Sequence, residues 1–165
     1  MDSVFHRTSI RKYVEAKPVE QEKVEKLLRA AMAAPSAKNQ QPWEFYVITD
    51  RELLVKLTTV NTFAICVAKA PLAIVPCMRK DVTAPDFAIV DVAAATENIL
   101  LEADTLGLGA CWLGVAPDRG RMDRARALLN LPANLEAFAI IAIGYPAQEK
   151  VQEDRYNAAR VHTIK

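Results

Sequence analysis

The chain has no surplus of charge, no paired-cysteine motif and no long apolar run, and each absence closes off a class of function. Lys and Arg number 21 against 20 Asp and Glu, a net charge of +1. That gives no bulk electrostatic case for nucleic acid or for an anionic membrane. The three cysteines, Cys66, Cys77 and Cys111, are odd in number and show no CxxC spacing. A disulfide framework or a zinc site is therefore not expected, and a reducing cytoplasm is. The N-terminus carries charges and lacks an apolar core, so no signal peptide is expected. No apolar stretch approaches the ~18 residues that a membrane helix needs. Internal repeats and low-complexity tracts are missing too.

What is present fits one globular domain with a sizeable core: 165 residues, 52% apolar and 25% charged. Val19–Ala34 is expected to form a helix, with Pro18 near its start, acids in its first turn, and Val24, Leu27, Leu28 and Ala31 as its apolar stripe. Glu44–Thr49 reads as a short strand whose nearly continuous apolar character suggests cover on both faces. Asp50 is placed to cap a helix over Arg51–Thr58. Asn61–Ala70 reads as helical. Pro71–Cys77 reads as a second buried strand, with Pro76 marking an early exit from the ladder. The longest helix pattern, Asp86–Leu106, is alanine-rich and apolar around much of its circumference, more than one small domain can bury, so a dimer contact is expected. Asp118–Asn130 is expected to be helical, and Ala137–Tyr145 is the strongest strand pattern. From Gln148 onward the polar composition makes no core of its own.

Four stretches carry chemistry. Near the start, Arg7-Thr8-Ser9-Ile10-Arg11 puts guanidiniums and hydroxyls close together. If extended, it presents Arg7, Ser9 and Arg11 on one face. Such a face suits a phosphate monoester, although a solvated basic terminus would read the same way. The second stretch is Pro35–Trp43, where two prolines bracket Ser36, Asn39, Gln40 and Gln41. Its donors and acceptors suit the edge of a flat heterocycle, or else a loop that satisfies its own backbone. The third is Leu106–Gly114, with three glycines among nine residues, which lets backbone turn sharply and approach a ligand. It is not a dinucleotide fingerprint, because it follows a helix rather than opening one. The fourth is the Gly144-Tyr145-Pro146 tail. Among single residues, Cys111 reads as a small hydrophobe with neither histidine near it in sequence. His6 and His162 read as surface or interface residues. Trp43 reads as core, Trp112 as core or the wall of a ligand site, and Lys38 as a solvated lysine.

In order and spacing, these four stretches together resemble the FMN-dependent nitroreductase family from about Phe5 to His162, including Arg155-Tyr156 and Arg160-Val161-His162 as its C-terminal arm. The resemblance implies an α+β fold. It would be a homodimeric three-layer α-β-α sandwich with a mixed, mainly antiparallel central sheet and a long central helix. Residues 1–147 would form the FMN-binding domain, and 148–165 an arm packing on the partner subunit. It implies FMN at each of two subunit interfaces, held at its phosphate and ribityl chain by Arg7, Thr8, Ser9 and Arg11, with Arg155 reaching the same phosphate. Pro35, Ser36 and Asn39 would approach the flavin from the partner subunit. The backbone N–H groups of Leu113 and Gly114 would face its N5 and O4. NAD(P)H would reduce the flavin, which would pass electrons to nitroaromatics, quinones or similar acceptors in ping-pong fashion. A non-enzymatic dimer binding flavin as sensor or store is the alternative. The sequence departs from the family where an asparagine and a lysine commonly approach the pyrimidine edge: Phe63 and Cys66 stand there. It also shows no lid insertion.

Overall fold

The computed structural model describes residues 2–165. Chain order is α1 (Ser3–His6), α2 (Gln21–Met32), β1 (Trp43–Ile48), α3 (Arg51–Leu57), β2 (Leu72–Arg79), α4 (Ala88–Thr105), β3 (Gly109–Gly114), α5 (Arg119–Leu129), β4 (Leu135–Ala137) and β5 (Ala139–Gly144). Short 3₁₀ turns occupy Ala37–Asn39, Ala64–Lys69, Pro85–Phe87 and Ala158–Arg160. The fold class is the expected α+β sandwich. The strands lie in the order β1-β2-β5-β3, with β4 also paired to β2, and every strand pair is antiparallel. Among the described residues the parallel component is a single bridge, Ser9 to Ala110. Helix α4 packs on α2 and on β1, β2 and β3, while α3, the 64–69 turn and α5 group together near β4 and β5.

The core follows from where apolar runs meet. β5 lies between β2 and β3 and is buried at every residue. Ile140, Ile141 and Ile143 have no exposed surface, and each contributes about 1.5–3 kcal/mol by leaving water. The expected cap at Asp50 is made, its carboxylate accepting from Leu53 N at 2.8 Å, and Asp118 caps α5 in the same way, accepting from Arg121 N at 3.1 Å.

Several expectations are corrected. β1 is a sheet edge, and its burial alternates irregularly, with Val47 exposed, so it is not covered on both faces. β2 does not leave the ladder at Pro76 but continues to Arg79. On one side its neighbour changes from β5 to β4 at this point, and the Pro76 carbonyl accepts from Phe138 N at 2.9 Å. The missing proline N–H thus falls where pairing is already interrupted. The same interruption at Phe138 splits the single strand expected over Ala137–Tyr145 into β4 and β5. The glycine-rich stretch is mostly strand: only Gly107, at φ 72°, makes a turn. Val19 and Glu20 precede α2, and Asn61–Ala70 is a 3₁₀ run with an irregular start.

Candidate functional site

A short α-helix, not anticipated, occupies Ser3–His6, after which the chain runs extended along the outer edge of β3. Ile10 N–H donates to Ala110 O at 3.0 Å, and Val14 N–H to Tyr145 O at 2.9 Å. The buried Tyr13 hydroxyl lies 2.8 Å from Ile10 O and 3.1 Å from Ala142 O, donating to these carbonyls. Close approach depends on Gly109, since a Cβ there would sit 2.6 Å from Ile10 Cγ2. The third glycine-rich position, Gly114, has open space at its Cβ. Gly109 therefore serves this contact with the N-terminal segment rather than with a ligand.

So anchored, the segment turns Ile10 inward and leaves Arg7, Thr8 and Ser9 half-exposed. Those three and Arg155 line one recess of about 100 Å³ together with Lys150 and Glu153. Arg7 Nε reaches Glu97 Oε1 at 3.4 Å, and Thr8 Oγ1 donates to Lys150 O at 3.3 Å. Among the described residues, the Ser9 hydroxyl and the Arg155 guanidinium have no hydrogen-bond partner. Arg11 is exposed and does not line this recess. The expected alternation does not hold here: Thr8 shares the recess with Arg7 and Ser9, and Arg11 lies outside it. Beside the recess lies a larger cavity of about 470 Å³, walled by Phe5, Leu100 and Leu108 and by the pair of His6 Nδ1 and Asp104 Oδ1 at 2.8 Å.

The Pro35–Trp43 loop spends its polar groups differently. Ala37 N–H donates to Asp91 Oδ1 at 3.0 Å, and Gln40 Nε2 to Asp91 Oδ2 at 2.8 Å. Gln40 also brackets Ala84, donating to its carbonyl at 3.0 Å and accepting from its N–H at 2.8 Å. Ser36 Oγ accepts from Gln41 N, and Asn39 Oδ1 from Gln41 Nε2, each at 3.0 Å. Gln40 is therefore a structural tie. Pro35, Lys38 and Asn39 stay exposed. The loop and the arginine segment do not meet in one chain. They attach to α4 through Asp91 on one side and through Glu97 and Asp104 on the other. Those positions lie roughly 120–140° apart around the helix and ~9–20 Å along it.

At the end of β3, Leu113 pairs with Ile140 and is buried, and Gly114 pairs with Ala139. Ala110 turns its carbonyl outward to Ile10, and strand alternation gives Gly114 the same orientation. Its carbonyl accepts from Asn61 Nδ2 at 2.9 Å and from Arg121 Nη1 at 3.1 Å. This makes Gly114 the better placed of the two amides to offer an outward N–H. Trp43 is core, as expected, while Trp112 is half-buried with its ring edge-on to Phe138 at 5.4 Å. Of the two departures, Phe63 is 75% exposed and Cys66 is buried.

Sequence reasoning missed Asp91, Lys150, Asn61 and Arg121 as parts of this region. One signal was available: Asp91 is an acid within an apolar, alanine-rich helix pattern, which demands a partner.

The Nitroreductase family profile matches residues 4–61 and 62–145, most of the chain. The chain belongs to the nitroreductase family. It is 43% identical to a candidate NADH dehydrogenase/NAD(P)H nitroreductase of Archaeoglobus fulgidus, over 98% of this chain and 95% of that one. An FMN-dependent nitroreductase from Clostridium difficile R20291 superposes with a TM-score of 0.92 at 35% identity, covering 99% and 98% of the two chains. A candidate nitroreductase from Desulfovibrio desulfuricans, solved in complex with FMN, gives 0.83 at 31% identity, covering 99% and 94%. Family membership thus accounts for the sandwich, the long α4 and the short N-terminal segment laid along β3.

Proposed function

We propose that the chain is an FMN-dependent NAD(P)H oxidoreductase. The observation that carries this reading is the convergence of Arg7, Thr8, Ser9 and Arg155 on one recess, with the Ser9 hydroxyl and the Arg155 guanidinium unspent. These donors fit a phosphate monoester in number and type, which is the end of FMN that a protein must hold most firmly. Support also comes from the Clostridium and Desulfovibrio proteins, described as FMN-dependent and as FMN-bound. A Bacillus subtilis relative is described as an FMN reductase using NAD(P)H.

In this reading Arg7, Ser9 and Arg155 hold the phosphate, with Thr8 lining the same recess. Arg11, one step further along, neutralises charge toward the ribityl chain. The Gly114 N–H, with Leu113 beside it, is aimed at the flavin's polar edge, where a fixed donor stabilises developing negative charge. Bound FMN supplies two-electron chemistry, taking hydride from NAD(P)H and reducing a nitroaromatic, quinone or similar acceptor in a second half-reaction. The chain's own part is to orient that ring and leave one face open, with no acid–base side chain required for hydride transfer.

A homodimer completes the site. Pro35, Ser36 and Asn39 sit on a different side of α4 from Arg7, so they serve the flavin of the partner subunit. Two features support the partner. Phe87 and Val90 at the start of α4 are 57% and 62% exposed. Residues 153–165, including Tyr156, Val161 and Ile164, extend into solvent as an arm suited to another surface. Three free cysteines fit a cytoplasmic setting.

The test is a visible spectrum of the purified protein with added FMN, followed by anaerobic NAD(P)H titration and an acceptor panel. Flavin absorbance that bleaches with NAD(P)H and returns with menadione or a nitroaromatic is expected. A preparation that stays colourless after added FMN would sink the proposal.

A further inference from the structure

Gly114 is a glycine that its own chain does not require. It is not in the left-handed region, and a Cβ built there would meet nothing within 4 Å. Around its carbonyl, by contrast, two distant side chains converge. Asn61, 4% exposed on the loop after α3, donates from Nδ2 at 2.9 Å, and its Oδ1 accepts from Phe63 N at 2.9 Å. Arg121, in the first turn of α5, donates from Nη1 at 3.1 Å, with its Nε 3.3 Å from Asp118 Oδ2. Further along α5, Arg124 donates to Val60 O at 3.1 Å, so the same helix holds the loop that carries Asn61. On the other side of the peptide, Val115 N–H donates to Phe138 O at 3.1 Å. The Gly114–Val115 peptide plane is thus tied at both its oxygen and its hydrogen, and both polar atoms of the buried Asn61 amide are satisfied.

This arrangement answers an electrostatic problem. A residue of an antiparallel strand points its N–H and its C=O to the same side, and β3 ends the strand order, so Gly114 turns both outward. The N–H favours negative charge beside it, and the C=O opposes it. Covering the carbonyl with an amide and a guanidinium removes the opposing dipole and leaves the N–H as the net field. Asp118 steadies the guanidinium and offsets part of its charge, so the cover on the carbonyl matters more than bulk charge. We propose that Asn61 and Arg121 are positioning residues that mask the Gly114 carbonyl and hold its amide, so that this edge favours reduced over oxidised flavin. The inference rests on the reading that FMN binds with its polar edge at Gly114, and it adds the two side chains that make that edge electropositive. Neither lines the recess assigned to the phosphate. Affinity and potential therefore have separate sources in the chain.

The test is the midpoint potential of the FMN-loaded, full-length protein, by anaerobic dye-coupled titration, for the unaltered chain and four variants. Asn61→Ala and Arg121→Ala should each shift the equilibrium about tenfold toward oxidised flavin, ~30 mV lower for a two-electron couple, with affinity for oxidised FMN unchanged. Arg121→Lys keeps a charge and a donor and should recover most of the shift. Arg119→Ala removes a cation from the same turn that pairs instead with Glu136 at 3.0 Å, and should leave the potential in place. A second readout needs no flavin: in the apo protein, amide hydrogen exchange at Val115 and Ala116 should quicken in Asn61→Ala and Arg121→Ala but not in Arg119→Ala. Wild-type potentials in both, or an equal fall in Arg119→Ala, would overturn the proposal. So would a loss of FMN affinity that accounts for the whole effect. A protein that takes up no FMN would instead bring down the flavin reading, and this inference with it. The Arg121 side chain is 29% exposed on a helix, so its variants decide the matter even if Asn61→Ala fails to fold.

Discussion

Two polar segments of similar composition have opposite fates. In the Pro35–Trp43 loop, Gln40 is consumed by Asp91 and Ala84, and Ser36 and Asn39 are turned onto Gln41. In the Arg7–Arg11 segment the backbone and Ile10 do the anchoring; Arg7 and Thr8 make one contact each, to Glu97 and Lys150 O, and the Ser9 hydroxyl is left over. A cluster of donors in sequence therefore does not mark a ligand site by itself. What marks one is a cluster whose donors survive folding unspent, on backbone held rigidly enough to aim them.

The sharpest test of that contrast is the double variant Arg7→Ala with Arg155→Ala. Two charge-assisted contacts at ~1.5–3 kcal/mol each should lower FMN affinity on the order of 100-fold or more, read by flavin fluorescence, with an unchanged melting temperature. An unaltered affinity would break the comparison. Next is Gly109→Ala. Its Cβ collides with Ile10, so the anchored segment must shift, costing about 1–3 kcal/mol in urea unfolding and weakening FMN binding in parallel. Stability lost with FMN affinity intact would show that the segment's placement is irrelevant to the ligand. Asp91→Ala orphans the Ala37 N–H and leaves the Gln40 amide with Ala84 O alone, and should cost ~1–3 kcal/mol. Faster proteolysis at Lys38 is the local readout, and an equally resistant loop would argue against Asp91 as its tie. The smallest effect belongs to Asn39→Ala. Among the described residues its side chain pairs only with another exposed loop side chain. Stability should hold, while FMN affinity falls about tenfold or less, one neutral hydrogen bond being worth ~0.5–1.5 kcal/mol. Unchanged affinity would remove Asn39 from the site.

Much of the fold was legible because it is locally encoded. The cap at Asp50, the stripe of α2 and the alanine-rich α4 rest on contacts within a few residues, where periodicity and side-chain chemistry decide. Phe138 was not legible, since an apolar run of strand-forming residues gives no sign of where its partner changes from one stretch of β2 to another. The candidate site divides likewise. Alternation in the first segment set Ser9 apart from Ile10, but it also grouped Arg11 with Arg7, and the recess separates them.

By itself the sequence determined a single α+β domain, a segment rich in phosphate-binding groups at its start, and a polar arm at its end. It determined these because composition, period and capping act over short distances. Only the tertiary structure decided that Lys150 joins the recess around Arg7 and Ser9, and that Gly109 exists for Ile10. The same holds for Asp91, which meets a loop 54 positions away. Each of these depends on two distant stretches arriving at one place, and a linear pattern carries no measure of that distance.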